Sequence, residues 1–270
     1  WARAEYDGLL AGATYDESVT VRIHLAELDM DTDRFATALR RLDPVAAPIL
    51  DRRLPQPADV GTMTRLFPLY ARAFRSGFVR GDRLAELVDW TIEHRGPAAT
   101  LLMEMGLALE DRAEYDAALT VFDRIVRRHD DATYGPRALR ETARIHTALE
   151  QWDQAFVSWK LLEAKYALTD IALTVPLELE RYHRLRGDES EAREALRRAE
   201  REYRALEERF PTGGHSRRLQ ELLIECLERQ GRFEEAFDER LEWIASAEGN
   251  VTELTRLYES VLRARAAMLA

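Results

Sequence analysis

Between residues 98 and 247, apolar and small side chains return three and four places apart, the signature of helices with one buried face. Leu102, Met105, Gly106 and Leu109 make the first stripe. After a polar break at Arg112-Ala113-Glu114, Ala118, Phe122 and Ile125 make the second. The spacing predicts a further pair from about Pro136 to Leu149 and from Trp152 to Tyr166. A third pair starts near Thr174, turns at Gly187-Asp188 and runs on to Phe210. Pro97, Pro136 and Pro176 stand where a first helical turn tolerates proline. Pro211-Thr212-Gly213-Gly214 stops the long helix, and Ser216 is placed to cap the next.

The stripes repeat. Tyr115-x-x-Ala118-Leu119-x-x-Phe122 returns as Trp152-x-x-Ala155-Phe156-x-x-Trp159. Looser copies follow at Gly187-x-x-x-x-Ala192-x-x-x-Leu196 and at Gly231-x-Phe233-x-x-Ala236-Phe237. Ala118, Ala155, Ala192 and Ala236 lie 37, 37 and 44 positions apart. A fixed period of this size marks an array whose stacked units share a core. The longer interval adds about two helical turns at 3.6 residues each, so Leu196, Ala199, Tyr203, Leu206 and Phe210 keep one face.

Upstream the pattern is less regular. Residues 1–56 read as an irregular helical region containing a pair at Val19–Leu28 and Asp33–Leu42, and Leu54-Pro55-Gln56-Pro57 marks a break. Residues 57–97 read as a degenerate hairpin, Arg65–Ser76 and Asp82–His94, around Gly81. Repeats occupy 98–250, and 251–270 reads as a C-terminal capping helix.

Aligned on their small residues, these units resemble the tetratricopeptide repeat. Leu102, Met105, Gly106, Leu109, Ala113, Tyr115, Ala118, Phe122 and Ile125 fill its pattern in one copy. Leu139, Thr142, Ala143, His146, Glu150, Trp152, Ala155, Trp159 and Leu162 fill it in the next. The match covers roughly residues 98–247; the unit is longer than usual, and the proline expected after the second helix is missing in the first copies. The resemblance implies an all-α, right-handed solenoid of antiparallel helix hairpins. Arg209-Phe210-Pro211-Thr212-Gly213-Gly214 and Arg128-His129-Asp130-Asp131-Ala132-Thr133-Tyr134 look like inter-repeat loops of bacterial cell-envelope members, those of the outer-membrane barrel-assembly and Tol–Pal systems. That likeness implies the periplasm or cell envelope; the alternative is the cytoplasm.

Composition agrees with a helical array: 46% of residues are hydrophobic, enough for a buried core. A net charge of −10 argues against broad nucleic-acid binding and adsorption to an anionic membrane. Only Lys160 and Lys165 among the 39 basic residues are lysines, a bias read mainly as base composition of the source genome. Cys226 is the lone cysteine, so neither an internal disulfide nor a cysteine-based metal site is available. The sequence begins at Trp1, which reads as a processed form or a fragment, and its compartment is not fixed by the missing leader. No apolar run approaches the roughly 20 residues needed to span a bilayer.

No catalytic layout emerges. The histidines at 24, 94, 129, 146, 183 and 215 form no metal-binding pair, and His146 reads as a core or groove residue. Asp29-Met30-Asp31-Thr32-Asp33 imitates the start of a calcium loop but carries Arg34 and Arg40 where such a loop needs glycine and glutamate. Trp152 and Trp159 share a face as packing residues, and Cys226 reads as an inert core thiol. No cofactor site is expected. One pattern suits recognition: Arg137, Arg140 and Arg144 share a helical face, and Arg181 and Arg184 take equivalent offsets on the next first helix. In the repeat resembled, such positions line the concave wall. Guanidinium forks grip carboxylates, so an acidic segment or free C-terminus of another protein fits; Glu141, Glu178 and Glu180 would neutralise part of this charge.

The sequence therefore points to a non-catalytic interaction scaffold or adaptor, which the envelope likeness would make a cell-envelope assembly component. Two alternatives are the sensory or regulatory arm of a larger signalling or transcription-regulating protein, and a structural subunit of a large complex.

Overall fold

The computed structural model describes residues 15–50, 60–95, 99–128, 133–212, 214–246 and 259. The break at 54–57, Pro97 and the capping helix expected at 251–270 fall outside them, apart from Glu259. Among the described residues the secondary structure is twelve α-helices and one 3-10 turn, without a strand. The helices are α1 (Tyr15–Met30), α2 (Phe35–Leu50), α3 (Val60–Arg75), α4 (Gly81–Arg95), α5 (Ala99–Asp111) and α6 (Tyr115–Arg128). They continue as α7 (Gly135–Ala148), α8 (Trp152–Lys165), α9 (Val175–Arg186), α10 (Glu189–Arg209), α11 (Ser216–Arg229) and α12 (Phe233–Ser246).

One turn recurs six times. Asp33, Gly77, Ala113, Glu150, Gly187 and Gly231 all hold φ between 55° and 85°, in the left-handed region. Each donates its N–H three residues back, and the following residue donates five back: Gly187 to Arg184 O (3.0 Å) and Asp188 to His183 O (2.9 Å), for example. Ala113 to Glu110 O (2.8 Å) and Glu114 to Leu109 O (2.9 Å) repeat the arrangement. This double closure satisfies helix-end carbonyls that would otherwise lack donors. It punctuates the chain every 36–44 residues from Asp33 onward. Upstream the left-handed glycine is Gly77 and not Gly81, which opens α4 instead.

The chain divides into two compact units, residues 1–145 and 146–270. In the first, α1 packs on α2, α3 on α4 and α5 on α6, while the leading helices also meet, α1 on α3 and α3 on α5. Phe67, Tyr70, Phe74 and Phe122 are fully buried there. In the second, α9 packs on α8 and α10, α10 on α11, and α11 on α12. Leu177, Leu196, Tyr203, Leu223 and Cys226 belong to its core, with Leu206 and Trp243 packed against them. The Tyr203 hydroxyl donates to Leu173 O at 2.9 Å, and burial pushes its ionisation well above the ordinary range.

The repeat positions serve as spacers and fillers. Ala118, Ala155, Ala192 and Ala236 are all buried, as are Phe122, Trp159 and Leu196 four residues after the first three. Four residues after Ala236 stands Arg240, 9% exposed, bonded to Glu228 Oε1 at 2.6 Å. Its aliphatic stem fills the place an aromatic takes elsewhere, and the carboxylate satisfies its head. Ser216 does not cap α11: His215 takes the cap position without a side-chain bond, and the Ser216 hydroxyl donates to Pro211 O instead. Its backbone has already entered the helix, which leaves the side chain facing the preceding loop.

Candidate arginine faces

The α7 arginines surround a buried acid. Glu141, with its side chain only 3% exposed, lies between Arg140 and Arg144. Arg140 donates through Nε and Nη2 to Oε1 (2.9 and 2.7 Å), and Arg144 through Nη1 to Oε2 at 2.6 Å. Two guanidinia thus hold one carboxylate, while 57% of the Arg144 side chain remains in solvent. Arg137 is half-buried and joins no ion pair among the described residues. The face carries three cations against Glu141. Glu110 on α5 feels Glu141, Arg144 and Arg140; its carboxyl is pushed up first by burial and then by Glu141.

The second unit repeats the device on α9. Glu180, 2% exposed, lies against Arg184, and Arg229 from α11 donates to its Oε2 at 2.8 Å. Arg229 also donates to Leu177 O (3.1 Å) and Glu225 Oε1 (2.6 Å), so it ties α11 to α9. Arg181 is exposed and forms no ion pair among the described residues. Of the five arginines singled out in the sequence, Arg140, Arg144 and Arg184 therefore brace buried carboxylates, whereas half-buried Arg137 and exposed Arg181 do not.

The same pairing answers the acidic run at residues 29–33. Asp29 is 1% exposed and is held by Arg34 Nη2 (3.1 Å) and Arg41 Nε (2.8 Å), so guanidinia stand around it. Among the described residues no group of three or more His, Cys, Asp or Glu side chains is arranged for a metal ion. Cys226 is buried, donates to Leu196 O at 3.3 Å, and its thiol is pushed up by burial, which disfavours the reactive thiolate. His146 bonds Gln151 at 2.6 Å beside the turn. Trp159 is buried, and Trp152 meets Tyr182 edge-on at 5.8 Å, both as packing residues.

Each unit also has a cleft that the sequence did not disclose. In the first, α4, α5 and α6 enclose about 600 Å³ floored by Leu102, Met105, Leu109 and Val121, with Arg124 and Asp89 paired across the rim at 2.8 Å. In the second, a space of about 280 Å³ lies between α8, α9 and α10. Phe156, Leu179, His183, Lys160 and Arg198 are among the residues that border it.

 No family model matches this chain, and no curated protein matches it either.

Proposed function

We propose that the chain is a non-catalytic scaffold of tetratricopeptide-like hairpins stacked as a right-handed solenoid, which binds an acidic segment or free C-terminus of another protein on its arginine faces. The common period and the six-fold recurrence of one turn geometry support the array. The observation that carries the binding reading is the α7 face. Glu141 consumes part of the donor capacity of Arg140 and Arg144 and fixes both guanidinia in place, while Arg137 stands beside them. Pre-ordered guanidinia lose little freedom when they meet a second carboxylate. The α9 face, with Arg181 and Arg184, is a separate and smaller surface of the same kind. The loop likeness supports a periplasmic or cell-envelope setting, with the cytoplasm as the alternative.

The test uses a fluorescein-labelled decapeptide of Asp and Glu with a free C-terminal carboxylate. Arg137→Glu is the informative variant, because reversing Arg140 or Arg144 would also disturb buried Glu141. Affinity should fall about tenfold at roughly 0.1 M salt, and wild-type binding should fade as salt rises. Arg193→Glu on α10 serves as the control and should bind like wild type. A folded Arg137→Glu protein that binds the peptide unchanged refutes the α7 reading. The reading as a permanent subunit of an assembly is favoured by one feature, the exposed Val157 and Leu161 on α8.

A further inference from the structure

The three arginines of α7 do not form one cluster. Arg140 and Arg144 close on the two oxygens of Glu141, so their guanidinia stand together. Arg137 lies four residues before Glu141, about 6 Å along the axis and within about 40° of the same face. That spacing would let Arg137 pair with Glu141, yet it forms no ion pair among the described residues. Glu141 is taken up by the other two, and Arg137 stays a separate cation one turn nearer the start of the helix. Donors remain at both places. Arg140 uses Nε and Nη2, and Arg144 uses Nη1. Nη1 of the first and Nε and Nη2 of the second have no partner among the described residues. Glu110 on α5 acts on both Arg140 and Arg144 and offsets part of their charge.

Two cationic seats about 6 Å apart select a spacing of acids. In an extended segment, side chains two positions apart point the same way and lie about 6.6 Å from each other. Adjacent acids point to opposite faces, and acids four positions apart lie about 13 Å apart. A helix with acids at i and i+4 has the same reach as the alternate pair. Such a helix also needs an apolar stripe to bury, and among the described residues no exposed large apolar side chain lies on α5 or α7. The α7 face therefore suits an extended chain. On α9 the place four residues before Glu180 is Pro176, so that helix offers a single seat.

We infer that the α7 face recognises an extended segment of another protein with acids at alternate positions, one carboxylate on Arg137 and the other on Arg140 and Arg144. The inference rests on the acidic-partner reading above and adds to it the spacing of the acids. Arg137 is the residue that sets this spacing, because without it α7 keeps only the seat around Glu141.

The test uses octapeptides of serine and glycine that carry two glutamates, adjacent in one, two positions apart in another and four apart in the last. An amidated C-terminus removes the end carboxylate, and a neutral dye at the N-terminus reports binding to the full chain by anisotropy. The peptides share one net charge, so diffuse attraction treats them alike. At about 50 mM salt the peptide with alternate acids should bind about three- to fivefold more tightly than the other two. Arg137→Gln should erase this preference and Arg181→Gln on α9 should keep it, with circular dichroism confirming that both variants fold. If the three peptides bind alike, or none binds while the acidic decapeptide does, the spacing is overturned and the acidic-partner reading stands. A preference that survives Arg137→Gln overturns it as well. Tightest binding by acids four apart overturns the extended form and favours a helical partner. If the acidic decapeptide itself does not bind, the underlying reading fails and this inference falls with it.

Discussion

Gly106 lies so close to the Phe122 ring that a β-carbon added there would stand 2.3 Å from Cε1 and 2.7 Å from Cζ. Phe122 is fully buried, so the ring has no space into which to retreat. The contact joins α5 to α6 and sets how near the two helices come.

Gly106→Ala should therefore destabilise the first unit, although alanine favours a helix by about 1 kcal/mol over glycine. Overpacking a closed core costs about 1–3 kcal/mol or more, and the clash here is severe enough to win. Urea denaturation should show a net loss of about 1–2 kcal/mol, partly recovered by Phe122→Leu in the same chain. A gain in stability from Gly106→Ala alone would show that the helices part easily.

The six left-handed turns make a matched set of backbone tests. Gly187 has no atom within 4 Å of an added β-carbon, so Gly187→Ala reports conformation alone and should cost about 1 kcal/mol. Ala113 and Glu150 hold the same region with φ of 57° and 56°, and replacement by glycine should stabilise by about 0.5–1 kcal/mol each. Thermal melts of the three variants should move in these opposite directions; a loss on Ala113→Gly contradicts the turn assignment.

Arg140, Arg144 and Glu141 should behave as one unit. Arg144→Gln alone should cost no more than about 1 kcal/mol, since its head is exposed and Arg140 still holds Glu141. Removing both guanidinia leaves a buried carboxylate without compensation and should cost about 3–5 kcal/mol. Adding Glu141→Gln should return most of that loss. Chemical denaturation of the single, double and triple variants checks the coupling, and simple additivity would dissolve it.

Acid should act on the second unit through Glu200. Burial pushes this carboxyl up, but hydrogen bonds from Gln230 and Arg232 and the charge of Arg232 outweigh burial and leave it below the ordinary value. The folded state thus binds fewer protons than the unfolded one near the folded value. Its contribution is complete above the unfolded carboxyl range and is lost as pH falls through the lower folded value. Glu207 works in the opposite sense, because burial pushes it up. Melting temperature should fall from pH 5 toward pH 3, about two units across the ordinary Glu range, and Glu200→Gln should flatten part of that slope. An unchanged slope would mean Glu200 contributes nothing.

Much of the helical pattern was legible because burial on one face forces a period that apolar residues reveal. Ala118, Ala155 and Ala192 and the bulky residues four places on were readable for that reason. The fourth copy was obscure because Arg240 fills the bulky position with a hydrocarbon stem, a substitution that hydropathy counts as solvent-facing. The left-handed backbone at Asp33, Ala113 and Glu150 was equally hidden, since positive φ there is imposed by helix closure and not advertised by glycine, although the break around Ala113 was legible. The helical spacing of Arg137, Arg140 and Arg144 set them on one side of α7. Which of them hold Glu141 depends on side-chain rotamers and on burial from neighbouring helices, neither of which a spacing contains. Asp29 and Glu180 were unreadable as buried groups for the same cause.

Each turn completes its pair of capping bonds within six consecutive residues. In the Asp33 and Gly77 turns the closing carbonyl also takes a donor from the next hairpin, Arg72 Nη2 to Met30 O (2.9 Å) and Arg112 Nη1 to Phe74 O (3.4 Å), so these clasps are tied to the hairpin that follows. Amide exchange and proteolytic nicking would then release the leading hairpins of the first unit as a linked group, since opening one clasp frees an arginine of the next.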